Sequence, residues 1–209
     1  MICAKNYLID SVYKVPSMKI ENLTDEEKYK CFIEFKTRCY YVYRTYQINK
    51  VLFEENEDVY NNLESPKFIN NALIDHFLLQ LHLITDPVNF GKSEDKNLSV
   101  FFFLEWAWKI DVKDKLSELA QKLKYFVNFE RDKNPRHKLL AHWDVATILN
   151  VTVPLGAFHI GEEINFFKNL NEFIQVMGNA MGYQEDWDIF TDKKADETKF
   201  LNIIKSGMM

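Results

Sequence analysis

The chain has 209 residues, 47% hydrophobic and 27% charged, which fits one folded domain with at most an appendage and excludes a mainly disordered protein. Only 6 Gly and 5 Pro argue against a turn-rich β-sandwich or barrel and for long helices. Lys and Arg number 26 against 31 Asp and Glu, and a net charge of −5 argues against a broad non-specific nucleic-acid coat. The longest strongly apolar run, Val100 to Trp108, is broken by Glu105 and is too short to span a bilayer, so no membrane association is expected. The opening MICAKNYLIDS lacks the apolar core and cleavage site of a signal peptide. Cys3, Cys31 and Cys39 are odd in number and form no CxxC pair. A reduced, cytoplasmic protein is expected, its cysteines small core or surface residues.

Residues 1–22 are mixed, and Pro16 breaks any early helix. Thr24 followed by Glu27 is a capping-box signature. It opens a helix running to about residue 54, with Phe32, Phe35, Cys39, Val42, Tyr43 and Tyr46 at three- and four-residue spacing. Ser65-Pro66 marks the next start, with Pro at the first helical position. That helix runs to about Thr85, is mostly apolar and is expected to be central. Asp86-Pro87 ends it. Asn89 to Asn97 is a polar loop, and Asn97-Leu98-Ser99 leads into a short apolar helix through Lys109.

Val112 to about Glu130 places Leu116, Leu119, Leu123 and Phe126 on one helix face. Asn134-Pro135 opens another helix, roughly 135–149. VTVPLGAFHIG is β-branched and carries Pro154 and Gly156, so an extended connection or a short β hairpin is expected near 151–160. Gly161 to Ala180 is amphipathic on Ile164, Phe167, Leu170, Ile174 and Met177, and a last short helix is expected around Ala195–Lys205. The fold class is all-α, a bundle of five to six helices. The division is 1–22 an N-terminal segment, 23–182 the helical domain and 183–209 a C-terminal helical appendage.

Charge is uneven. Lys122, Lys124, Arg131, Lys133, Arg136 and Lys138 stand against Glu130 and Asp132 in 121–143. Taken alone such a cluster also describes a solvated helix face. Read functionally, Arg131, Lys133 and Lys138 are candidate RNA contacts. Arg136-His137-Lys138-Leu139-Leu140-Ala141-His142-Trp143-Asp144 adds chemistry. A histidine can take a 2′-OH proton or protonate a leaving 5′-oxygen near neutral pH. An arginine can hold the phosphate bidentately while charge builds. In one continuous helix, however, six residues give about 9 Å of rise and about 120° of rotation, so Arg136 and His142 of one chain diverge. A two-fold dimer bringing two copies of each into one cleft removes that difficulty.

With four Arg and five His in the chain, an Arg-x(4–6)-His pair alone is weakly specific. The longer stretch RHKLLAHWD resembles the Arg-polar-x-x-x-Ala-His-x-Asp signature of HEPN (higher eukaryotes and prokaryotes nucleotide-binding) domains, with His137 in the polar position. LITDPVNFGKSEDKNLSV resembles the Leu-x-Asp-Pro … Asn-Leu-Ser segment of the abortive-infection, AbiU-like branch, at Leu83, Asp86, Pro87, Asn97, Leu98 and Ser99. The resemblance covers roughly residues 25–180. It implies a HEPN-like helical bundle that dimerises around the motif. It also implies a metal-independent endoribonuclease of a toxin–antitoxin or phage-defence system, leaving 2′,3′-cyclic phosphate. Arg136, His142 and His137 are then catalytic, and Asp144 and Lys138 supporting. The substrate would be RNA, such as tRNA or mRNA, and an antitoxin protein a further partner. The alternative is a non-catalytic HEPN module that binds RNA, a nucleotide or a nucleotidyltransferase-type antitoxin. The low overall basicity favours it.

Asp75, His82 and Asp86 lie at i, i+7 and i+11 on the apolar helix. They form a face that supports the active site, binds a metal, or is simply a polar seam. Tyr40, Tyr41, Tyr43 and Tyr46 can stack bases, but their spacing suits core and dimer packing better. No P-loop, GxGxxG, GxSxG or HExxH pattern is present, and no cofactor or metal is expected.

Overall fold

Thr24 sits just before a helix with extended backbone, and its hydroxyl accepts the Glu27 N–H at 3.2 Å while Glu27 Oε2 accepts the Thr24 N–H at 2.8 Å. This reciprocal cap fixes the start of α1 (Asp25–Asn49) in the computed structural model. The structure describes residues 23–51, 64–89, 96–106, 110–133, 162–183 and 188–190, with 199, 202–203 and 205–206 near the end of the chain. The named elements are α1, α2 (Glu64–Thr85), α3 (Val100–Leu104), α4 (Ile110–Lys133) and α5 (Glu162–Ala180). Among the described residues the fold is all-α, and the strand-like feature is an isolated antiparallel bridge between Asn89 and Lys96. No helix there is long and apolar enough to cross a membrane. The expected helix at 135–149 and the extended segment at 151–160 lie outside the described residues, as does the chain before Leu23. Near the end, 202–203 and 205–206 are helical, in the region of the expected last helix.

α4 and α5 form the most extensive helix pair. They run antiparallel: Lys115 pairs with Glu172 at 2.7 Å, while Phe126 stacks on Phe166 with ring centroids 5.0 Å apart. α1 and α2 are likewise antiparallel, with Asn49 donating to Asn70 at 2.6 Å and Tyr46 beside Phe77. The core lies between these pairs. Phe167 of α5 is in ring contact with Tyr43 and Tyr46 of α1 and Phe77 of α2. α3 inserts Phe103 against Phe32 and Phe35. Each fully buried aromatic ring of this kind stabilises by about 1.5–3 kcal/mol through area removed from water. Ile189 joins the same core, and the Asn171 side chain accepts its N–H at 2.9 Å.

The periodic faces of α1 and α4 are buried as the spacing predicts, at Phe32, Phe35, Cys39, Val42 and Tyr46 and at Leu116, Leu119, Leu123 and Phe126. Three expectations are corrected. α2 begins at Glu64, so Pro66 lies inside the first turn, where its missing N–H is still harmless. α2 packs against α1, α3 and α4 and buries one stripe, Phe77, Leu78, Leu81 and Ile84, leaving Phe68 76% exposed and Leu79 56%. α3 stops at Leu104 instead of running through Lys109, where the chain tightens and the Trp106 N–H donates to Phe103 O. In α5, Phe167, Leu170, Ile174 and Met177 are buried as the spacing predicts, but Ile164 is 44% exposed and Glu163 is buried beside Phe166 and Phe167.

Candidate functional site

Arg136, His137, Lys138, His142 and Asp144 lie outside the described residues. The chain that carries them leaves α4 at Lys133 and joins α5 at Glu162. Arg131 and Lys133 occupy the last turn of α4, and their side chains are likewise outside the described set. Of the basic cluster, Lys122 is ion-paired with Glu118 one turn earlier.

The second landmark segment is described. α2 ends at Thr85, whose buried hydroxyl donates back to Leu81 O, four residues earlier, at 3.1 Å. Pro87 has no N–H to continue the helix. The chain then closes on itself. The Asn97 side chain donates to Pro87 O at 2.9 Å, the Asn97 N–H to Val88 O at 2.8 Å, and the Ser99 hydroxyl to Asp86 O at 2.7 Å. Lys96 also donates to the Asn89 side chain. Ser99 has N-cap backbone geometry but makes no side-chain cap; its hydroxyl donates to Asp86 O. The Asp-Pro and Asn-Leu-Ser landmarks are therefore the two halves of one hydrogen-bonded closure that joins α2 to α3.

The helices it joins, α2 and α3, both pack against α4. Half-burial pushes the Asp86 carboxyl above its ordinary range, and the Lys124 ammonium partly offsets the rise. Asp75 is half-buried and His82 partly exposed on α2, and both interact with neighbours. Among the described residues no three His, Cys, Asp or Glu side chains converge to hold a metal, so Asp75, His82 and Asp86 form no such site. The tyrosine run divides: Tyr46 is buried, Tyr43 packs on Phe167 and Phe190, and Tyr41 points outward.

The Asp86–Lys124 approach and the burial of Glu163 were not read from sequence. The first has no periodic signal, since it joins a loop to a helix across 38 positions. The second was masked by the larger apolar Ile164 next to it. Chemically, the closure positions helices rather than transferring protons, since its bonds to Asp86, Pro87 and Val88 join backbone carbonyls to amides and one hydroxyl. Compared with known proteins, the chain matches no family model, no curated protein and no solved structure.

Proposed function

We propose that the chain is a HEPN-like, metal-independent endoribonuclease of a toxin–antitoxin or phage-defence system, with a composite site at a homodimer interface. Arg136 holds the scissile phosphate, His142 and His137 supply acid–base chemistry, and Asp144 and Lys138 support them. The observation that supports this reading best is the closure of Asp86 and Pro87 on Asn97 and Ser99. The two halves of the AbiU-like landmark, ten and more residues apart, meet in space, as a shared structural element requires. The helices that the closure joins, α2 and α3, both pack against α4, and α4 leads into the Arg136–Asp144 segment. The acidic net charge favours the second reading, a non-catalytic module that binds RNA, a nucleotide or an antitoxin.

The test is RNA cleavage in EDTA by Arg136→Ala, by His142→Ala and by an equimolar mixture of the two after subunit exchange. The proposal expects each variant alone to be inactive and the mixture to recover activity, because a mixed dimer keeps an intact Arg136 and an intact His142. Undiminished cleavage by either variant contradicts it.

A further inference from the structure

One side of α2 is fixed against the core: Phe77 lies beside Tyr46 and Phe167, and Asn70 accepts a hydrogen bond from Asn49. Phe68 precedes Phe77 by two and a half helical turns, so it stands on the opposite, outward side. Ile69, Ala72, His76 and Leu79 follow on that side and are exposed, with Asp75 and Leu83 half-buried among them. Exposed apolar side chains gathered on one helix stripe mark a docking surface. The stripe is symmetric about the midpoint of Asp75 and His76. Phe68 lies seven positions before Asp75 and Leu83 seven after His76, while Ala72 and Leu79 lie three to either side. A two-fold axis at that midpoint, with the helices antiparallel, sets Phe68 on the partner's Leu83 and Ala72 against the partner's Leu79, each contact made twice. The same axis brings Asp75 beside the partner's His76. The carboxylate already interacts within its own chain, and its several lone pairs leave room for the imidazole N–H as well. Parallel pairing would instead set Asp75 against the partner's Asp75, and the two carboxylates would repel. A wholly apolar partner would leave Asp75 and His76 covered and unanswered in mid-stripe.

We propose that the outward face of α2 docks a second copy of this chain, antiparallel about a two-fold axis between Asp75 and His76. From Phe68 to Leu83 the strip is about 22 Å long. One helix of that length covers less than the roughly 800 Å² per partner of a standard interface, so the dimer is reversible. The monomer keeps its own core on the other side of α2. The inference uses no residue of the Arg136–Asp144 segment and stands apart from the ribonuclease reading.

The experiment is sedimentation equilibrium of the full chain over about 1–200 µM, since a small interface gives micromolar affinity. Wild type is compared with Leu79→Glu, His76→Glu and the double variant Asp75→Lys/His76→Glu. Leu79 and His76 are exposed, so their variants should keep the helical circular dichroism of wild type, and this is checked first. Wild type is expected to pass reversibly from monomer to dimer. Leu79→Glu should weaken the dimer about ten-fold or more, because it covers a charge in the apolar seam. His76→Glu should weaken it about three-fold, by setting a carboxylate against the partner's Asp75. Adding Asp75→Lys should restore affinity to within about two-fold of wild type, a recovery that a damaged fold would not show. A monomer at every concentration, undiminished association in Leu79→Glu, or a double variant weaker than His76→Glu overturns the proposal. RNA cleavage is read separately. A dimer that Leu79→Glu dissociates, with no cleavage by wild type, keeps this face and removes the ribonuclease. Cleavage by wild type with association unchanged in Leu79→Glu removes this face and leaves the ribonuclease.

Discussion

The Tyr46 hydroxyl donates a 3.2 Å hydrogen bond to Glu163 Oε1, joining α1 to the first turn of α5 across 117 positions of sequence. Both side chains are buried. A carboxyl group in a helix's first turn is also favoured by the exposed N–H groups and dipole there. Tyr46→Phe removes this donor and keeps the ring packing on Phe167. The expected cost is about 1–3 kcal/mol, read as a lower urea midpoint. An unchanged midpoint shows that this bond contributes nothing to the fold.

Glu27 and Asp86 should bend the stability–pH curve in opposite directions. Hydrogen bonds from the Thr24 backbone and side chain hold the Glu27 carboxyl below its ordinary 4.5. Its contribution is therefore present above that value and is lost as pH falls through the lower folded value. Asp86 is raised above 3.8 by burial, so ionising it opposes folding as pH rises through the folded value. Glu27→Gln should flatten the loss of stability on acidification. Asp86→Asn should raise stability at pH 7 relative to wild type and gain less at pH 3.5. Urea melts at the two pH values check both, and the same sign of change in the two variants contradicts the assignment.

Ser99 and Asn97 close the α2–α3 junction. Ser99→Ala leaves the Asp86 carbonyl without its buried donor and should cost about 1–3 kcal/mol. Asn97→Ala removes the more exposed bond to Pro87 O and should cost less. Chemical denaturation of the two variants tests the order, and a larger loss for Asn97→Ala would reverse it.

The thiols should react in a fixed order. Cys39 is fully buried, and burial pushes its thiol well above 9.0. Cys31 is only partly buried, and its thiol is raised less, by burial and by the nearby Glu27 carboxylate. Native alkylation followed by mass spectrometry should label Cys31 slowly and Cys39 only after unfolding. Native labelling of Cys39 would show that α1 opens locally.

The helices with one apolar stripe were legible because burial follows a 3.6-residue period: α1 and α4 bury the residues their spacing names, Tyr43 only in part. α2 was harder, since apolar residues lie all round it and composition does not say which stripe meets the core. α5 shows why a single position fails. Ile164 fits the period, yet Glu163 is the buried neighbour because Tyr46, far away in sequence, supplies its partner. For the candidate site, the Asp-Pro and Asn-Leu-Ser segments were recognisable, but their meeting was not. It depends on carbonyls of Asp86, Pro87 and Val88, which every residue possesses and no sequence pattern reveals.

The ribonuclease reading meets its most direct test in wild type and His142→Ala, both first shown to be folded and dimeric, incubated with total RNA and with tRNA in EDTA. The expected outcome is cleavage by wild type alone, with 2′,3′-cyclic phosphate at the new ends. No cleavage by either protein, or equal cleavage by both, contradicts it.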